Sequence, residues 1–101
     1  MPDLLTIQDV LKRGATYRQI DHWARQGWIR PIHRGGTGHN REWPQTELQI
    51  ADLMRRLLCA GLTVDVAALV ARTAIERQPL VKLAPGITLA IDTDLLTKVT
   101  P

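Results

Sequence analysis

Residues 5–31, LTIQDVLKRGATYRQIDHWARQGWIRP, decide the fold. Thr6 precedes Ile7, Val10 and Leu11 at helical spacing, and its hydroxyl can accept a bond from a free first-turn amide. A short first helix is expected, ending near Gly14. Thr16 stands in the same relation to a second helix, in which Ile20, Trp23, Ala24 and Gly27 recur at i, i+3, i+4 and i+7, the spacing of a buried stripe. Gly27 is the natural stop of that helix, because glycine accepts the left-handed backbone that closes a helix end. Two short helices joined through Gly14, Ala15 and Thr16 have the size and turn of a helix-turn-helix.

Downstream, Trp28 to Ile32 has β-type composition, residues 33–40 (HRGGTGHN) are rich in turn formers, and Arg41, Glu42 and Trp43 can return as a second strand, so a hairpin wing is expected. Pro44 opens a longer third helix in which Leu48, Ile50, Ala51, Leu53, Met54, Leu57 and Leu58 make a broad apolar face, with Arg55 and Arg56 pointing elsewhere. Gly61 ends it, Thr63 caps a fourth helix carrying Val64, Ala67, Ala68, Val70 and Ala71, and Pro79 stops any continuation. Leu80 to Leu83 and Ile87 to Ile91 flank Ala84-Pro85-Gly86 as a short C-terminal β-hairpin, followed by a tail over residues 94–101. The expected fold is mainly α with a small β wing, a winged helix-turn-helix over residues 1–78, extended by a hairpin and tail over residues 79–101.

Composition narrows the function. One hundred and one residues, 45% hydrophobic and 23% charged, make one modest core without room for an enclosed catalytic cleft. No apolar run approaches the length of a membrane span, the N-terminus lacks the pattern of a secretory signal, and Cys59, standing alone, cannot form an internal disulfide. These features point to the cytoplasm. The net charge of +3 is unevenly spread: between Leu11 and Arg41 seven Lys or Arg stand against one acid, Asp21, and the remainder of the chain sums to −3. All three histidines, His22, His33 and His39, fall in the basic block, which is interleaved with Tyr17, Trp23 and Trp28; such a block suits a polyanion or a solvated surface.

The order and spelling of these elements resemble the DNA-binding domain of the MerR family of bacterial and phage transcription regulators and its truncated single-module relatives, including excisionase-type proteins. The likeness covers about seventy residues. It rests on residues 5–31, on the wing return Gly38-His39-Asn40-Arg41-Glu42-Trp43, and on Glu47-Leu48 through Arg55-Arg56-Leu57 to Ala60-Gly61-Leu62-Thr63-Val64. It implies a winged helix-turn-helix that binds double-stranded DNA. In two respects the chain departs from full-length members. Pro79 falls where they continue into a long dimerisation helix, and Cys59, expected to be a small core residue of the third helix, is the only cysteine, so no small-molecule or metal effector is expected.

If Ile20, Trp23 and Ala24 face the core, Arg18, His22 and Arg25 share the opposite, basic face of the second helix, with Tyr17 and Gln19 at its leading end. Arg18 is the candidate base contact, since a guanidinium bonds guanine at two major-groove acceptors; Gln19 can pair with adenine, and His22 and Arg25 suit phosphates. In the wing, Gly36 and Thr37 let the backbone approach a phosphate, while Arg34, His39, Asn40 and Arg41 supply donors. The place of Arg41 resembles that of the family's wing arginine. Thr6 is a further candidate phosphate contact, through the first-turn amides it caps.

No metal site is expected from the three histidines, because no carboxylate or cysteine lies among them at ligand-like intervals. Trp23, Trp28 and Trp43 read as structural. No nucleophile motif and no phosphate loop is present, so neither catalytic activity nor a cofactor is expected. The function expected is sequence-specific DNA binding by a small transcription regulator, with two alternatives: an excisionase-like architectural factor in recombination, and a protein-interaction adaptor reusing the scaffold. Leu80 to Ile91 is the candidate segment for self-association, or else it folds back over the helical core.

Overall fold

The structure, a computed structural model, describes residues 4–33 and 41–93. Its elements follow in the order α1 (Ile7–Lys12), α2 (Tyr17–Arg25), β1 (Ile32–His33), β2 (Arg41–Glu42), α3 (Gln45–Cys59), α4 (Val64–Glu76), β3 (Leu80–Ala84) and β4 (Ile87–Ala90). This is the mainly helical winged architecture expected, with the C-terminal hairpin appended.

Both helices of the helix-turn-helix start with a capping box. The Thr6 hydroxyl accepts from the Asp9 N–H at 3.2 Å while the Asp9 carboxylate accepts from the Thr6 N–H at 2.9 Å. Thr16 and Gln19 repeat the exchange at 3.1 and 3.0 Å. Both helices also end alike. After α1 the Gly14 N–H donates to Leu11 O and the Ala15 N–H to Val10 O; after α2 Gly27 donates to Ala24 O and Trp28 to Trp23 O. These paired bonds place an apolar residue past each glycine against one in the last turn, and they require glycine φ values of +124° at Gly14 and +79° at Gly27. Gly61 and Leu62 close α3 with the same two bonds, to Leu58 O and Leu57 O.

The core lies between α3 and α4, which make the most extensive packing, with α1 laid against α3 and β3 against α4. Val10, Ile20, Trp23, Ile29, Leu48, Ile50, Met54 and Val70 are buried, while Trp28 and Trp43 are half-buried against the same cluster. At about 25 cal/mol per Å² of apolar surface, each of the larger side chains contributes roughly 2 kcal/mol by burial. Leu5 is fastened to the start of α3 by the Gln45 carboxamide, which accepts from its N–H at 2.9 Å and donates to its carbonyl.

The structure corrects three expectations. The first wing strand begins at Ile32 rather than Trp28, because the intervening donors are committed elsewhere: Trp28 and Ile29 N–H bond Trp23 O, and Arg30 N–H bonds Glu47 Oε1 at 2.7 Å. Thr63 does occupy the N-cap of α4, but its hydroxyl donates to Asp65 Oδ1 at 2.7 Å instead of accepting a helix amide. Cys59 is exposed, not part of the core. Arg55 and Arg56, off the apolar face of α3, turn back to the Asp52 carboxylate of their own helix.

In the C-terminal hairpin, Val81 lies opposite Leu89 in the β3–β4 register. Val81 is buried and Leu89 packs against the core cluster, and the Ile91 N–H closes the base on Pro79 O at 2.8 Å. Leu80, Leu83 and Ile87 remain exposed, so the hairpin covers the helical core through Val81 and Leu89 and leaves other apolar side chains open.

Candidate nucleic-acid interface

The capping box at Thr16 sets where α2 begins, and burial of Ile20 and Trp23 sets its rotation. Tyr17, Arg18, His22 and Arg25 are thereby exposed together on the face away from the core, as their spacing requires. Arg18 extends from the first turn without an ionic partner among the described residues. Arg25 is held at 2.9 Å by Asp21, one turn back, in an exposed pair that contributes little to stability and mutes the charge of that end of the helix. His22 sets its ring edge-on to Trp28, with ring centroids 5.8 Å apart, which links the exposed face of α2 to the chain leaving it.

The other two α2 candidates are tied up locally. Gln19 Oε1 accepts the Thr16 N–H, so this side chain, half-exposed, is turned back along the helix in its capping role. The Tyr17 hydroxyl, on a side chain 67% exposed, accepts from Gln8 Nε2 at 3.4 Å and so bridges α2 to α1. Thr6 uses its hydroxyl and N–H on Asp9, whose carboxyl is held below its ordinary value by the Thr6 N–H first and the Thr6 hydroxyl second. That anionic carboxylate already occupies the amide end of α1.

Arg41 stands on β2 opposite His33. Arg34, Gly36, Thr37, His39 and Asn40 lie outside the described residues. Among the described residues no three metal-ligating side chains come together. No helix among them is long and apolar enough to cross a membrane.

Two buried acids organise the surroundings of this surface, and neither entered the sequence reading as a structural centre. Glu47 accepts from Arg30 N–H at 2.7 Å and from Arg72 at 2.7 and 3.1 Å; Arg72 also donates to Trp28 O at 2.8 Å. The chain entering the wing is thus fixed to α3 and α4 at once. Asp52, 3% exposed, accepts from Arg13 at 3.0 Å, Arg55 at 3.1 Å and Arg56 at 3.2 Å, pinning the end of α1 to α3. The i, i+3 and i+4 spacing of Asp52, Arg55 and Arg56 was a readable signal for the second cluster.

No curated protein matches the chain. The family model of the MerR HTH family regulatory proteins matches residues 5–73, which run from the segment before α1 through most of α4. Two capped helices with a glycine turn, a short β wing and a supporting helix pair over that same span are the architecture of DNA-binding transcription regulators, not of an enzyme family. The chain belongs to the MerR family of helix-turn-helix regulatory proteins.

Proposed function

We propose that this protein binds double-stranded DNA sequence-specifically, as a bacterial or phage transcription regulator. The observation that carries the reading is the exposed face of α2, where Arg18, His22 and Arg25 project opposite the buried Ile20 and Trp23. A recognition helix needs this division, with its N-terminal half nearest the bases. Arg18 is the base contact, bonding a guanine through its two major-groove acceptors. Tyr17, His22 and Arg25 track the adjoining phosphates. Gln19 serves first as the cap of its helix and reads a base only by exchanging that bond, and Thr6 serves α1 in the same way.

The wing supplies Arg34, Gly36, Thr37, His39, Asn40 and Arg41 as backbone and minor-groove contacts. Residues 1–78 form the DNA-binding unit and residues 79–101 an appendage. The open strand edges and the exposed Leu80, Leu83 and Ile87 support pairing of two copies through the segment 80–91. Repeated selection from a random duplex library tests the reading: enrichment of a common motif that the Arg18→Ala variant fails to recover supports it. Absence of any enriched motif contradicts it.

A further inference from the structure

Beyond α2 and the wing, the structure holds a second concentration of positive charge, built around one acid. Asp52 is almost fully buried and is ringed by the guanidinium groups of Arg13, Arg55 and Arg56, which are 21%, 19% and 33% exposed at the side chain. One carboxylate neutralises one of three cations, so the cluster retains a surplus of two positive charges. The carboxylate also fixes the geometry: it accepts from Arg13 Nη1, from Arg55 Nε and Nη2, and from Arg56 Nε. Each guanidinium carries five donors in a rigid plane, so N–H groups remain on all three that Asp52 does not use. No other acid among the described residues pairs with them.

The position of the cluster is as informative as its charge. Arg13 is the C-cap of α1, three residues before Thr16, the N-cap of α2. The Arg55 stem lies along the helix-turn-helix turn, its Cδ 3.6 Å from where a Cβ on Gly14 would stand. The surplus charge therefore sits at the start of the recognition helix. In a docked helix-turn-helix the recognition helix enters the groove by its N-terminal half, and the preceding helix crosses the sugar-phosphate backbone beside it.

We propose that Arg13, Arg55 and Arg56 form a phosphodiester-binding seat held in place by Asp52, with Arg56, the most exposed, as its principal contact. This rests on the DNA-binding reading above and adds to it a backbone contact outside α2 and the wing. Asp52 acts as a positioning residue, holding three like charges in a fixed array before DNA arrives, so that little side-chain freedom is lost on binding. The ligand is a backbone phosphate, so the contact strengthens binding to every duplex alike and confers no sequence preference.

The test is the salt dependence of duplex binding by the full chain, for wild type, Arg56→Gln, Arg56→Lys and Arg77→Gln, with urea unfolding of each. Loss of one phosphate contact lowers the slope of log Kd against log salt by about 1, for cognate and random duplexes equally. Arg56→Gln should show that fall with a folded protein. Arg56→Lys should retain the slope while binding more weakly, because a point charge replaces the fork. Arg77→Gln, at the exposed C-terminal end of α4, should change neither. A wild-type slope in a folded Arg56→Gln protein overturns the seat and leaves the α2 reading standing; a wild type that binds no duplex overturns both.

Discussion

The Arg72 guanidinium donates to both carboxylate oxygens of Glu47, at 2.7 and 3.1 Å, and so joins the first turn of α3 to the middle of α4. Because Arg72 also holds Trp28 O and Glu47 also holds the Arg30 N–H, the same pair determines the direction in which the chain leaves α2 for the wing. Removing one partner of such a pair strands a buried charge, at a cost of about 3 to 5 kcal/mol.

Arg72→Leu is therefore expected to destabilise the protein by about 3 kcal/mol, since Glu47 is left buried with only the Arg30 N–H. Glu76→Ala removes another partner of Arg72, at 2.8 Å, but Glu76 is exposed, and its loss should cost about 0.5 kcal/mol or less. Urea unfolding of the two variants checks the ranking. Equal losses would show that burial of Glu47 does not set the energy of the pair.

Acid should weaken the same node. Burial opposes ionisation of Glu47, but the Arg72 guanidinium and the Arg30 N–H together outweigh it and hold the carboxyl below its ordinary value of 4.5. The unfolded chain then takes up the proton more readily than the folded one. The stabilisation is complete above about pH 4.5 and is lost as pH falls through the lower folded value. Comparing urea midpoints of wild type and Glu47→Gln from neutral pH downward, the gap should narrow in the acid range. A gap that stays constant to the acid limit would contradict this.

The two glycines of the helix-turn-helix should respond differently to substitution. Nothing lies within 4 Å of a Cβ at Gly27, so Gly27→Ala meets only the backbone cost of its φ of +79°, about 1 kcal/mol, and Gly27→Asn should recover part of it. At Gly14 the φ of +124° lies outside the left-handed helical well, so alanine should cost about 1 to 3 kcal/mol and asparagine should give no recovery. Thermal midpoints of the four variants provide the comparison.

Much of this architecture was legible in the chain. Thr6 and Thr16 before apolar stripes, and Gly14, Gly27 and Gly61 after them, mark helix ends through local hydrogen bonds, and local rules carry over from sequence to structure. The outward face of α2 follows from the same periodicity. Part of what escaped was non-local. The strand expected from Trp28 fails because its donors are taken by Trp23 O and Glu47, and the latter lies on another helix. Helical phase sets Arg55 and Arg56 off the apolar face, and their long side chains fold back over Asp52, where Arg13 arrives from a position 39 residues away in sequence. Thr63 carries the composition of a cap, but its hydroxyl accepts no helix amide and donates to the Asp65 carboxylate, which is held below its ordinary value chiefly by that bond.

The most direct test of DNA recognition by α2 and the wing is fluorescence anisotropy of a labelled duplex against wild type and the Arg18→Ala/Arg41→Ala double variant, over a range of salt. Wild-type binding should weaken steeply as salt rises, and the double variant should bind more weakly with a shallower slope, by about 2, as two cationic contacts are lost. Wild-type binding with the same affinity and slope in the double variant, or no wild-type binding at low salt, would contradict it.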